Sequence, residues 1–274
     1  MQRLNLAIPD QSFVMRGMTP SFRQRLQSGE RLLGTIASIP SVVSAEILAK
    51  IGFDWLFIDA EHGALSNDSM LQMVSVIGNQ TATLVRTPAP EETPIKQALD
   101  LGVTGIIAPQ VNSADQAARV VQYARYSPQG ARGVGVGRAQ GYGMAFQEYV
   151  QRAQTETTVV IQAEHYLAVE NIEQTVQVEG IDAVLIGPYD LSASLGKMGQ
   201  LDDPEVTGAI SQVTETCLKQ GIPLGIFGLS ADAVAPYVAR GYQLIVAGVD
   251  TLLLGQAATQ MKTSLSELTA RENR

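Results

Sequence analysis

Short apolar, β-branched runs alternate along the chain with longer stretches in which apolar residues recur at every third or fourth position. The runs are Leu33–Ser38, Trp55–Asp59, Thr83–Arg86, Gly105–Ala108, Thr158–Gln162, Ala183–Ile186, Leu224–Phe227 and Leu244–Val246. Between them, SVVSAEILAKIG, ETPIKQALDLG and SADQAARVVQYARY show helical spacing, with glycine or a polar cap at their ends. Runs that are apolar throughout mark strands buried on both faces, and helical crossovers between such strands mark parallel βα units. Eight units in 274 residues predict a (β/α)8 TIM barrel, whose usual size is about 250 residues. An open, doubly wound sheet is the alternative. Ser21–Arg31, in an N-terminal extension of residues 1–30, reads as an extra helix placed to plug the barrel bottom. No Ser/Gly linker, charge block or low-complexity tract interrupts the pattern, so a single domain over 1–274 is expected.

Composition narrows the function. The formal net charge is -8 and the pI is near 4.8, which argues against a nucleic-acid binder, because phosphate contacts need clustered Lys and Arg. No apolar run reaches the roughly 20 residues of a membrane span, and MQRLNLAIPDQ lacks the apolar core of a secretory signal. A cytoplasmic protein acting on small molecules is expected. The single cysteine, Cys217, sits in a polar helical pattern and reads as a buried bystander.

Barrel active sites gather at the carboxyl ends of strands, so those positions matter most. The second run ends in IDAEHG with Asp59, Glu61 and His62; the third ends in Arg86. The fifth ends in IQAEH with Gln162, Glu164 and His165, and the sixth in IGPYDLS with Gly187, Pro188 and Asp190. Glu164 and Asp190 lie one βα unit apart, where two carboxylates suit a hard divalent cation such as Mg2+ or Mn2+ better than zinc. Each also fits the bland role of an acid near a helix start.

His62, among Asp59 and Glu61, is the general-base candidate, with capping or packing as the alternative. His165 fits a helix start better than a metal ligand. Arg86 either stabilises an oxyanion or pairs internally with Asp59 or Glu61. Asp100 either ends its helix or reaches back to the histidine. The stretch Arg132–Gly143, RGVGVGRAQGYG, lies in a connection of about fifty residues and reads as a lid or binding loop. It matches neither a Walker loop nor a strict dinucleotide fingerprint. The lysines Lys50, Lys96, Lys197, Lys219 and Lys262 all fall in helical or loop patterns, which disfavours an imine mechanism.

The blocks GFDWLFIDAEHG, LVRT, IKQALDLGVTGIIAPQV, RGVGVGRA, VVIQAEH, GIDAVLIGPYDLSASLG and VAGVDTLLL resemble the HpcH/HpaI aldolase family of metal-dependent pyruvate aldolases, from about Gly34 to Ala258. The resemblance implies a (β/α)8 barrel, a homo-oligomer that is usually a hexamer, and a divalent metal, Mg2+ or Mn2+ with Co2+ as a further choice. It implies reversible cleavage of a 4-hydroxy-2-oxo acid to pyruvate, or a related 2-oxo acid, and an aldehyde. It implies Glu164 and Asp190 as metal ligands, Gln162 near metal and substrate, Arg86 on the enolate, and His62 as the acid/base. Asp59 would lie near His62, and Asp100 would orient it from the same or a neighbouring subunit. Gly187 and Pro188 would open the turn whose backbone holds the substrate carboxylate.

The chain departs from the family pattern at His165, at Tyr189 and in VGRAQGYG, positions that bear on the aldehyde partner. Alternatives within the superfamily are an oxaloacetate decarboxylase, an enolate-using synthase or a CoA-thioester lyase. A non-catalytic 2-oxo-acid-binding barrel is the alternative from another class.

Overall fold

The computed structural model describes residues 20–272. Eight parallel strands close into a barrel in chain order. They are β1 (Leu32–Ala37), β2 (Trp55–Asp59), β3 (Ala82–Arg86), β4 (Gly105–Ala108), β5 (Thr158–Ala163), β6 (Ala183–Ile186), β7 (Leu224–Gly228) and β8 (Leu244–Val249). β1 closes on β8, with a register shift between Gly34 and Ile36. The open doubly wound sheet is thereby excluded. β8 runs three residues beyond the predicted Val246, because Val249 still pairs with Ile36.

Two apolar cores follow from strands buried on both faces. The outward side chains, such as Leu56, Ile58, Val85 and Ile106, pack under the helices. The inward ones, such as Ile36, Phe57, Leu84, Ile107, Val160 and Leu185, fill the barrel. At the amino-terminal end the filling is completed by Phe22 and Leu26 from the first helix, Phe22–Gln27, against Trp55. Gly34 is required there, since a Cβ would stand 2.7 Å from the indole of Trp55.

The plug helix is shorter than the predicted Ser21–Arg31. Ser21 opens it with a capping box to Gln24, and the left-handed Gly29 (φ 85°) turns the chain away directly after Ser28. Its Arg23 shares the buried Asp182 carboxylate with Arg125, at 2.6 and 3.1 Å, which ties the plug to β6. The rest of the N-terminal extension, residues 1–19, lies outside the described residues.

The last helix, Asp250–Glu272, starts on the barrel and then leaves it. Asp250 is buried and accepts from the backbone of Ser38 and Ile39. From Leu253 to Ala270, however, every side chain is exposed. The helix over β1, Val42–Ile51, correspondingly shows an uncovered stripe of Val43, Ile47 and Ile51.

Candidate active site

The carboxyl ends of β2 and β3 are in register, Asp59 beside Arg86. That pairing sets a buried fork: Arg86 donates from Nε to Asp59 Oδ1 at 2.9 Å and from Nη2 to Oδ2 at 2.8 Å. Asp59 Oδ1 also accepts from the backbone N–H groups of Glu61 and His62, both at 3.2 Å, which shapes the turn after β2. Burial opposes the Asp59 charge, yet the Arg86 bonds hold its carboxyl below the usual range. Glu61 Oε2 lies 3.2 Å from Arg86 Nε and accepts no hydrogen bond among the described residues. Both internal pairs foreseen for Arg86 therefore exist, and its Nη1 carries no hydrogen bond among the described residues.

Glu164 follows β5 and is buried. Its Oε1 accepts from the backbone N–H of Gln110 at 2.8 Å, and its Oε2 accepts from Gln162 Nε2. Desolvation pushes its carboxyl up to about 7, against the lowering effect of Gln110 and with the negative charges of Glu61 and Asp190 adding to the rise. Glu61 is likewise raised, first by burial. Gln162 Oε1 is buried without a partner. Asp190 stands exposed in the first turn of the helix Pro188–Ser194, as the bland reading of an acid near a helix start also required.

His62 sits at the rim with its imidazole exposed, 3.9 Å from Glu61 Oε2. Asp59 bonds its backbone N–H and spends its carboxylate on Arg86, so it does not orient the ring. Asp100 is not brought to the histidine within the chain. It closes the helix Glu92–Asp100 near the amino ends of the strands, where Arg132 Nη2 donates to it at 2.7 Å. Arg132–Gly143 is consequently no lid over this mouth. It packs on Asp100 at the opposite end, because the buried Arg132 guanidinium needs that carboxylate and stacks over the ring of Tyr126 at 4.6 Å.

Gly187 and Pro188 open the turn after β6 at the start of the helix Pro188–Ser194. The Gly187 N–H donates to Ala163 O at 3.2 Å, and proline has none, so neither offers a backbone donor. Gly187 instead supplies space: a Cβ there would stand 2.9 Å from Glu164 Oε2 and 3.1 Å from Gln162 Nε2. Pro188 is buried at N1 of the short helix that carries Asp190. His165 caps the helix Tyr166–Glu170 through Nδ1, as its helix-start reading required. Cys217 is buried, and desolvation pushes its thiol up to about 12.

Gln110 was missed by the strand-end reading because its contribution is a backbone N–H. Its non-glycine positive φ of 53° is a conformational feature that no residue pattern announces.

His62, Arg86, Gln162, Gly187, Pro188 and Asp190 line a cavity of about 400 Å3 at the carboxyl mouth. A larger cavity, about 720 Å3, lies at the amino-terminal end around Arg119, Arg125 and Gly180 and holds none of the strand-end residues. Among the described residues no group of three or more His, Cys, Asp or Glu is assembled to hold a metal. The donor set is instead Glu164 and Asp190 with the orphaned amide oxygen of Gln162. This all-oxygen pair of carboxylates suits a hard cation that keeps water and substrate oxygens in its shell.

The sequence profile of the HpcH/HpaI aldolase/citrate lyase family matches residues 39–257. A 4-hydroxy-2-oxovalerate aldolase of Rhodococcus jostii is 37% identical over 256 residues, covering 93% of this chain and 99% of that protein. A hydroxypyruvate/pyruvate aldolase of Deinococcus radiodurans is 37% identical over 258 residues, 93% of each. The crystal structure of a family protein from Burkholderia cenocepacia superposes with a TM-score of 0.85 at 33% identity, covering 89% of this chain and 98% of that one. With the barrel closed and the strand-end acids, arginine and histidine gathered at its mouth, the chain belongs to the HpcH/HpaI aldolase/citrate lyase family and is a carbon–carbon lyase of the aldolase kind.

Proposed function

We propose that the protein is a class II aldolase that reversibly cleaves a 4-hydroxy-2-oxo acid to pyruvate, or a close 2-oxo acid, and an aldehyde. The observation that carries this reading is the buried Glu164 carboxylate, close to the charges of Asp190 and Glu61 and beside an unpartnered Gln162 oxygen. Such a site lacks a positive charge that a divalent cation would supply.

Glu164 and Asp190, with Gln162 beside them, would hold Mg2+ or Mn2+, with Co2+ as a further choice. When bound, the cation supplies Lewis acidity at the carboxylate and 2-oxo oxygens of the substrate.

Arg86 brings the second positive charge to the 2-oxo oxygen through its free Nη1, and Asp59 fixes its orientation. His62, open to solvent at the rim, takes the proton of the 4-hydroxyl in the cleavage direction, directly or through a water, and returns it in synthesis. The donors left open for a carboxylate at the turn after β6 are the N–H groups of Tyr189 and Asp190.

The protein is read as a cytoplasmic homo-oligomer, with the hexamer as the expected assembly. The uncovered stripe Val43, Ile47, Ile51 and the detached last helix support association. In such an assembly, Asp100 of a neighbouring copy is the available orienting partner for His62.

The test is pyruvate release from 4-hydroxy-2-oxo acids and from oxaloacetate by chelator-stripped protein, with and without each metal. Metal-restored release from an aldol is expected, with His62→Ala losing turnover while calorimetry still registers the metal. Metal-independent turnover, or full activity of His62→Ala, overturns the corresponding assignment; turnover of oxaloacetate alone moves the function to decarboxylation.

A further inference from the structure

The lining of the mouth is unevenly polar. His62, Arg86, Gln162 and Asp190 bring its polar groups, whereas Ile36 of β1, Phe57 of β2, Leu185 of β6 and Phe227 of β7 bring an apolar surface. The apolar wall continues outward to Leu229, after β7, and Tyr189, after β6, which are 45% and 48% exposed. Two large side chains left half open on the inner side of a polar rim are the part of the cavity that lacks a partner within the chain.

Charge decides what can cover them. Among the described residues lining the cavity, the one permanent cation is Arg86. Its Nε and Nη2 are taken by Asp59, and Glu61 stands 3.2 Å from it. What remains of its donor capacity faces the 2-oxo acid. No lysine or second arginine of the lining is left for another anion. A buried carboxylate without a cationic partner is expensive, whereas a methyl, alkyl or aryl group gains by covering Phe227, Leu229 and Tyr189.

We infer that the aldehyde half of the substrate is uncharged and apolar, seated against Phe227, Leu229 and Tyr189, and that aldols ending in a second carboxylate are poor substrates. The inference rests on the aldolase reading and gives its substrate class. A cavity of about 400 Å3, near the small end of ligand sites, further favours short or single-ring aldehydes.

The test uses the full chain with Mg2+ and pyruvate, and compares butanal, benzaldehyde and succinic semialdehyde, the last matching butanal in length but ending in a carboxylate. The expected result is a kcat/KM at least tenfold higher for both neutral aldehydes. Leu229→Arg, which places a cation on the apolar wall, is expected to shift the ratio of succinic semialdehyde to butanal at least tenfold toward the acid. Equal or faster turnover of succinic semialdehyde by the natural protein overturns the inference.

Exchange of the pyruvate methyl protons with D2O, followed by NMR without any aldehyde, separates the two levels. Exchange together with a preference for the charged aldehyde removes only the substrate class. Absence of exchange removes the aldolase reading and this inference with it.

Discussion

Replacing Glu164 with glutamine deletes one buried charge and keeps the shape of the side chain. The Gln110 N–H still finds an oxygen, and Gln162, whose Oε1 has no partner, can turn its amide to accept from the new Nε2, so no further polar group is orphaned. The proton balance is what changes. Burial raises the Glu164 carboxyl from 4.5 to about 7, so between those values the folded protein keeps a proton that the unfolded chain has released. The native state binds more protons than the unfolded one across this window, and stability therefore falls as pH rises through 7. At 1.36 kcal/mol per pKa unit, the penalty is fully developed by pH 8 at about 3 kcal/mol, of which about 2 to 3 builds up between pH 5 and 8. Glutamine carries no such penalty.

In urea unfolding without divalent cations, the stability of Glu164→Gln relative to the natural protein should thus rise by about 2 to 3 kcal/mol from pH 5 to pH 8, a midpoint shift near ~1 M for a slope of ~3 kcal/mol/M. Taking the difference between the two proteins cancels every other titrating group that they share. Adding Mg2+ or Mn2+ at pH 8 should narrow or reverse the order, since only the natural protein gains by ligation. A difference that stays flat with pH, within about 0.5 kcal/mol, would refute the claim that Glu164 is a destabilised buried carboxylate.

Three further substitutions probe the neighbouring geometry. Asp59→Ala strands the buried Arg86 with only the 3.2 Å approach of Glu61; it should cost about 3 kcal/mol and lower the thermal midpoint by roughly 6 to 12 °C, read by calorimetry. In the same variant, kcat should fall about 100-fold as the guanidinium loses its fixed position. Gly187→Ala drives a Cβ to within 2.9 Å of Glu164 Oε2, so metal affinity by calorimetry should drop at least about tenfold with an unchanged circular dichroism spectrum; unchanged affinity would show that Gly187 is not there for space. Gly34→Ala places a Cβ 2.7 Å from the Trp55 ring and should cost about 1 to 3 kcal/mol in urea while leaving kcat of the folded fraction intact.

The barrel was legible because its strands are buried on both faces and therefore write continuous apolar runs; reading only the strand ends singled out Arg86, Glu164 and Asp190, though it passed over Asp250 after β8. What the sequence could not carry is which of several nearby charges pair. Asp59, three residues before His62 in the chain, is drawn across the ladder to Arg86 by strand register, which settles the choice that the residue pattern left open between a charge kept free and an internal pair. Asp100 ends its helix, one of the two readings the spacing left open, and Arg132–Gly143 lies at the amino-terminal end, although nothing in a glycine-rich stretch tells which end of a barrel it covers. Gln110 acts through its backbone, where side-chain identity is nearly silent. The early end of the first helix is the exception, since Ser28-Gly29 is a local stop signal that the apolar pattern of Phe22 and Leu26 had overridden.

The two ends of the barrel solve opposite problems with the same strands. At the amino-terminal end, Trp55, Phe22 and Leu26 close the interior, and Asp182 is surrounded by Arg23, Arg125 and the Val159 N–H, so its charge is met from three sides. At the carboxyl end, Glu61, Glu164 and Asp190 face one another around a single arginine that Asp59 already holds. The first arrangement contributes stability; the second costs stability and stores an unmet demand for positive charge. Each strand of the barrel is fixed by its neighbours on both sides, which holds the backbone from which Arg86 and Gln162 project and the ends from which Glu61 and Glu164 follow. The demand is met when a cation and an anionic 2-oxo acid enter together, which is the condition under which a strained, rigid mouth favours binding of charge and leaves the apolar wall at Phe227 and Leu229 to choose the rest of the substrate.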